Sequence, residues 1–391
     1  MLSMKPEELR RRYAALLYTL SSALAGERPM AQIPAGGIYS YAVRHSLGAL
    51  AAHALELSGI ATDEALDGKL RAARRSMLFA TARAELTSEL DRAGIAYVCL
   101  KGVVMKDLYP DSTLREMSDN DILIPFDKRR AVRKIMSTLG YTVESYGKGH
   151  HDVYTKEPIY NFEIHISLFG SRHESLCEYF SDFLERAERV SDSTCERRMR
   201  DEDFYIYMKA HEYKHYMSGG IGLRSLVDTY VFTSRKSDSL DFDYITSECE
   251  KIGIAEYESR SRALACKLFA PESRDMLLSY FKGEGELDLT DSETEMLDYI
   301  SSSGTYGKVS QEIENAMHRY ESEHKSTKGA KLRFVLRRVF PPMSFYKENA
   351  PIVYKVRVLI PFYCIGRLIV ALVKRPARIF AQLRSLKKYK K

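Results

Sequence analysis

No two of the six cysteines lie at the short spacing of a metal knuckle or a redox pair, and Cys99 falls inside an apolar run. A disulfide framework and a zinc knuckle are therefore excluded as organising devices, which points to reducing cytoplasm. No uninterrupted apolar stretch reaches the roughly 20 residues that a membrane-spanning helix needs. The opening residues, Met1-Leu-Ser-Met-Lys-Pro-Glu-Glu, lack the basic-then-apolar order of a signal peptide. Acid is scarce too, but only locally: residues 331–391 carry 16 Lys and Arg against one acid, Glu348. The residues before them hold 43 basic and 52 acidic side chains, so the overall charge of +6 hides a basic tail on an acidic body. With 45% hydrophobic residues in 391, the chain can bury sizeable cores in two or three domains.

What is present concentrates between residues 95 and 168. Residues 95–100 form a short apolar run ending in Lys101-Gly102, the pattern of a buried strand that delivers the chain into a tight turn where backbone can approach a ligand. A helix-like segment over 103–108 stops at Pro110. Asp119 and Asp121 then open a second apolar strand over 121–124, and strand alternation points both carboxylates to one face. Two acids that close repel each other unless a cation intervenes, and oxygen-ligated Mg²⁺ is the usual one. A third acid comes from 160–168, where Phe162, Ile164, Ile166 and Leu168 face one way while Glu163 and His165 face the other. Asn120, between the aspartates, is a costly inward-facing polar residue unless it is bonded.

Helical periodicity surrounds this stretch. It covers 9–24, 39–57 and 70–93, with Pro29, Pro34 and Gly36-Gly37 breaking the first from the second. Asp127 reads as the N-cap of a helix over 128–139 that Gly140 ends, followed by an antiparallel hairpin of 141–146 and 152–155. His150-His151 read as exposed loop histidines, since adjacent strand residues face opposite sides. Further helices are expected over 174–190, 203–217, 222–233, 243–252 and 256–269.

One helical stretch carries a second candidate motif. His211, Lys214 and His215 share a helical face, and Gly219-Gly220 starts a new helix on which Arg224 and Asp228 stand one turn apart. The arrangement reads as a basic wall for phosphates, with Arg224 a bidentate clamp and Asp228 its partner. His211-Glu212-x-x-His215 is also the literal zinc-peptidase pattern. Against that reading, no histidine between His215 and His318 supplies the extended motif's third ligand, and Lys214 is ill-placed beside zinc.

The order Leu100-Lys101-Gly102, Leu108-Tyr109-Pro110, Arg115, Asp119-x-Asp121, Gly140-Tyr141 and Glu163-x-His165 resembles a largely uncharacterised bacterial nucleotidyltransferase family of the polymerase-beta-type superfamily. The resemblance is most specific over 100–168; the superfamily's usual Gly-Ser turn is Lys101-Gly102 here, as in the closer family. It implies an α+β fold, a mixed nucleotidyltransferase-type sheet with N-terminal helices and a C-terminal helical domain. The segments are then a helical region at 1–94, the catalytic sheet at 95–172, a helical domain at 173–270, an acidic helical or linker region at 271–330 and a basic amphipathic tail at 331–391. It further implies transfer of a nucleotidyl group from an NTP to a hydroxyl, with two Mg²⁺ ions on Asp119, Asp121 and Glu163. Lys101 and Gly102 would hold the triphosphate, helped by Arg115, Lys214 and Arg224, while His165, His211, His215 and Asp228 would stand behind them. A binding protein that keeps the pocket without catalysis is the alternative. The acceptor, whether protein side chain, nucleic acid 3′ end, sugar or antibiotic, is not written in the sequence.

In the tail, 331–340, 352–360 and 365–374 interleave basic residues with Val, Leu, Ile, Phe and Tyr; Arg357 and Arg367 interrupt the apolar run and Pro361 breaks it. For folding, these apolar residues are expected to pack back on the protein and the last eight residues to be disordered. As a surface, an anionic membrane, met at the inner face by a cytoplasmic protein, leads over RNA.

Overall fold

Strand alternation and helical periodicity resolve into four N-terminal helices, α1 (Pro6–Leu24), α2 (Ala35–Val43), α3 (Gly48–Leu57) and α4 (Asp63–Arg92), before the first strand. The computed structural model describes residues 6–29, 33–170, 173–305, 309–324 and 326–389. The helix expected over 39–57 is two helices, because Ser46 takes a left-handed φ of 54° and its hydroxyl lies 3.0 Å from that of Thr305. Then follow β1 (Tyr97–Cys99), α5 (Gly102–Met105), β2 (Asn120–Leu123), α6 (Arg129–Thr138), β3 (Thr142–Ser145), β4 (His151–Lys156) and β5 (Tyr160–His165). Asp127 is not the cap of α6: a single 3₁₀ turn, Phe126–Lys128, leads in, and Lys128 holds the cap position without a side-chain bond.

The expected helix over 174–190 is instead α7 (Glu174–Tyr179), α8 (Phe183–Arg186) and the first strand of a short hairpin, β6 (Glu188–Arg189) with β7 (Glu196–Arg198). β7 pairs parallel to β1, completing a mixed seven-stranded sheet in the order β3-β4-β5-β2-β1-β7-β6. Helices α9 (Asp201–Ser218), α10 (Arg224–Arg235), α11 (Phe242–Lys251), α12 (Ala255–Phe269), α13 (Ser273–Lys282), α14 (Asp291–Ser303) and α15 (Val309–His324) follow. With this α+β architecture, one sheet face packs Ile122, Ile124, Phe162 and Ile164 against Leu86 and Leu90 of α4 and Val132 and Met136 of α6. A larger core joins α1 to α3 with the helices from α9 onward.

The acidic region is less linker-like than its composition predicts. Leu277, Met296, Leu297 and Ile300 are buried in the main core, and Thr290 and Glu293 close a capping box at the start of α14. Helical spacing turns the few apolar residues inward and leaves most of the acids to water, Glu293 being buried in its capping box.

The tail forms α16 (Thr327–Val339), α17 (Met343–Asn349), α18 (Pro351–Lys355), α19 (Ile360–Lys374) and α20 (Pro376–Lys388). α16 and α20 pack on α15: Ile313, Met317, Ala330 and Phe334 are buried, with Leu386 and Tyr389 against them. Most of the last eight residues are therefore ordered, and Lys331 Nζ donates to the Tyr389 carbonyl at 2.8 Å; Lys390 and Lys391 lie outside the described residues. The expected packing fails in 352–374, where most large apolar side chains face water. Among the described residues no helix is long and apolar enough to cross a membrane.

Candidate active site

Backbone conformation is again unusual in the turn after β1. Lys101 takes φ 41°, rare for a residue with a side chain. There its ammonium reaches Asp121, Nζ to Oδ1 3.0 Å. Gly102 is needed for a different reason: a Cβ would stand 2.6 Å from Arg115 Nη1.

β2 and β5 run parallel with Asp121 registered on Glu163. Paired residues share a face, and His165, two residues along β5, shares it too. His165 Nε2 lies 2.8 Å from Asp121 Oδ1 and 3.6 Å from Glu163 Oε2. Asp119 precedes β2 and lines the same cleft as Asp121. Burial, then the charge of Asp121, pushes the Asp119 carboxyl up to about 6. Burial also opposes charge on Asp121, yet Lys101 and His165 outweigh it and hold that carboxyl below the usual range. Glu163 is likewise held low against burial, chiefly by its bond with His165.

Asn120 is fully buried, and α4 satisfies it: Arg83 Nη1 donates to its Oδ1 at 3.2 Å, while its Nδ2 donates to the Phe79 carbonyl at 3.4 Å. A costly position thus becomes a tie between β2 and α4.

His150 and His151 are not exposed loop residues. Both are partly buried, and a ring nitrogen of each lies within 4.8 Å of one another and of one on His165. His151 Nε2 is 3.8 Å from Glu163 Oε2. The alternation argument fails because His150 still belongs to the turn before β4, so the two rings are not forced to opposite faces. Burial, then the neighbouring imidazoles, pushes His150 down to about 2, so it is neutral near pH 7.

Asp119 and Asp121, though not Glu163, line a cleft of about 550 Å³ whose far wall comes from α9, α10 and the glycine-rich loop between them. Arg224 and Asp228 both line it but do not pair. Asp228 accepts two bonds from Arg115, Nε to Oδ1 2.9 Å and Nη2 to Oδ2 2.8 Å, and a third from the Tyr109 hydroxyl at 2.7 Å. Arg115 is therefore a buried brace with its fork fully used by Asp228. Arg224 donates to the Glu116 carbonyl at 3.3 Å. Lys214 stands over the Phe169 ring, and burial, then Lys101, pushes it down to about 8. Arg75 of α4 and Ser46 also line the cleft. Nothing in their local sequence marks them, since only the packing of α2 and α4 brings them there.

Residues 32–270 match the model of a family described as an uncharacterised nucleotidyltransferase. The chain belongs to that family. No curated protein and no solved structure matches it. Both the acid cluster and the helical wall of this nucleotidyltransferase fall inside the matched span, while the tail lies outside it.

The zinc-peptidase pattern has no corresponding geometry. His211 and His215 bring their Nε2 atoms to 3.3 Å, but Glu212 is buried and accepts from Lys209 Nζ at 2.6 Å. Among the described residues no third His, Cys, Asp or Glu joins the two histidines as a ligand group.

Proposed function

We propose that this member of the family moves a nucleotidyl group from an NTP to a hydroxyl acceptor, with Asp119, Asp121 and Glu163 as the reacting centre. The observation that carries the reading is the register of Asp121 on Glu163, with Asp119 and Asp121 lining one cleft together with Lys101, Arg75 and Arg224. The donor set fits divalent cations. Three acids share the site with one ammonium, and Asp119 is raised first by burial and then by the charge of Asp121, a repulsion that a cation between them would relieve. Asp119 and Asp121 would hold both Mg²⁺ ions and Glu163 would complete the second position; bound there, the cations stabilise charge on the reacting phosphate. The nearby imidazole nitrogens extend the fit to Mn²⁺.

The chain's own groups supply the rest. Glu163, which would complete the second cation position, is the carboxylate that would help deprotonate the acceptor. His165 holds Asp121 in place through the 2.8 Å contact. Arg224 and Arg75 present positive charge to the phosphates from opposite elements of the cleft. Lys101 and Gly102 give the triphosphate a turn it can approach closely.

One observation favours a binding protein that keeps the pocket: the Lys101 ammonium already sits on Asp121. Incubation with each labelled NTP, Mg²⁺ and cell extract separates the two. Transfer of label to an extract component, lost in Asp121→Asn, supports the enzyme. Saturable NTP binding with no labelled product supports the binding protein.

A further inference from the structure

We infer that residues 351–374 form a lipid-binding surface that docks this chain on an anionic bilayer. Elsewhere large exposed apolar side chains are scattered, as at Leu70, Met77 and Phe126, whereas this segment gathers them. Ile352, Phe362 and Val373 are 73%, 71% and 75% exposed, and Val358, Ile365 and Ile369 face water with them. Only Cys364 of α19 is buried, in a small cluster with Phe345 and Tyr346 that fastens α19 to α17 and leaves its remaining surface open. So much contiguous apolar surface on a folded chain marks an interaction site.

Charge identifies the occupant. From residue 351 to residue 389 there is no acid, while Lys355, Arg357, Arg367 and Lys374 lie among the apolar side chains. Arg367 lays its guanidinium over the Phe345 ring at 4.5 Å and is partly buried, so the charges this segment offers to a partner are those of the exposed Lys355, Arg357 and Lys374. A complementary partner is therefore anionic and offers hydrocarbon directly beneath its charge, which describes a leaflet with acidic headgroups. With 15 residues, α19 is about 22 Å long against a hydrocarbon core of about 30 Å, so it lies in the interface and does not cross.

The test uses the full chain with phosphatidylcholine vesicles that contain or lack phosphatidylglycerol, read by sedimentation. Binding is expected with phosphatidylglycerol, is weakened by salt, and is absent on phosphatidylcholine alone. The triple variant Ile365→Glu, Ile369→Glu, Val373→Glu should lower the partition coefficient about tenfold or more with an unchanged melting temperature. Full-length protein that stays in the supernatant at low salt overturns the inference, as does a triple variant that sediments like wild type. A variant that turns a dimer into a monomer by light scattering, with no vesicle binding by wild type, assigns the face to a second copy and overturns it as well.

Discussion

The cleft and the α18–α19 arm depart from ordinary burial in opposite directions. In the cleft, Asp121, Arg115, Asp228 and His165 are charged or polar and buried; in the arm, Ile, Val and Phe side chains stand in water. Each departure costs stability where it occurs, so each needs a compensating reason. In the cleft the compensation is internal, because Arg115, Tyr109 and Lys101 supply partners for the acids. Among the described residues nothing covers the arm's exposed side chains; only Cys364 and its immediate neighbours pack, on Phe345 and Tyr346. Buried charge here is mostly structure already complete, whereas exposed carbon is structure that awaits something outside.

This contrast can be broken or sharpened by substitution. Arg115→Ala should have the largest effect, since it leaves Asp228 buried without its fork; about 3–5 kcal/mol of folding stability is expected to go, measured by urea unfolding. A loss below about 1 kcal/mol would mean that the pair is wetter than its geometry indicates. Asp121→Asn keeps shape but removes the charge that Lys101 and His165 face. Nucleotidyl transfer should fall about 10²–10³-fold, and Mg²⁺-NTP should no longer raise the melting temperature. Retained nucleotide-dependent stabilisation in the variant would place the site on other residues.

Asp119 sharpens the contrast through pH. Its folded carboxyl titrates near 6 against an ordinary 3.8, so the folded state binds the extra proton between those values. Metal-free stability should therefore decline as pH rises from about 4 to above 6, by on the order of 2 kcal/mol. Asp119→Asn should flatten that part of the profile, and an unchanged slope in melting curves would assign it to other groups. Arg224→Ala touches the wall and not the brace, so NTP affinity should weaken about tenfold by titration calorimetry with no change in unfolding. Ile369→Ser in the arm should be the mildest, within about 0.5 kcal/mol of wild type in urea. A larger loss there would show that the arm is covered by its own chain.

The juxtaposition of Asp121, Glu163 and His165 in the candidate site was legible because alternation is local. Asp119-x-Asp121 and Glu163-x-His165 each announce a face, and the structure puts those faces together through parallel pairing of β2 and β5. The mixed sheet between helices was legible for a similar reason, since most of its strands are apolar and bounded by turn residues. Partnerships were not. Asp228 lies four residues from Arg224, yet its fork partner stands 113 residues away, and no spacing rule reports a contact at that range. β6 and β7 escaped because Glu188-Arg189 and Glu196-Arg197-Arg198 contain no apolar residue to alternate. The exposure of α19 escaped because an apolar helix reads as core until packing shows that nothing covers it.

Gly102 has a consequence beyond its own turn. Since Arg115 occupies the place of the absent side chain and, with Tyr109, grips Asp228 of α10, the turn beneath the cleft is tied to its far wall. Prising them apart would tear two charge-assisted bonds in a dry spot, a far harder motion than bending a loop.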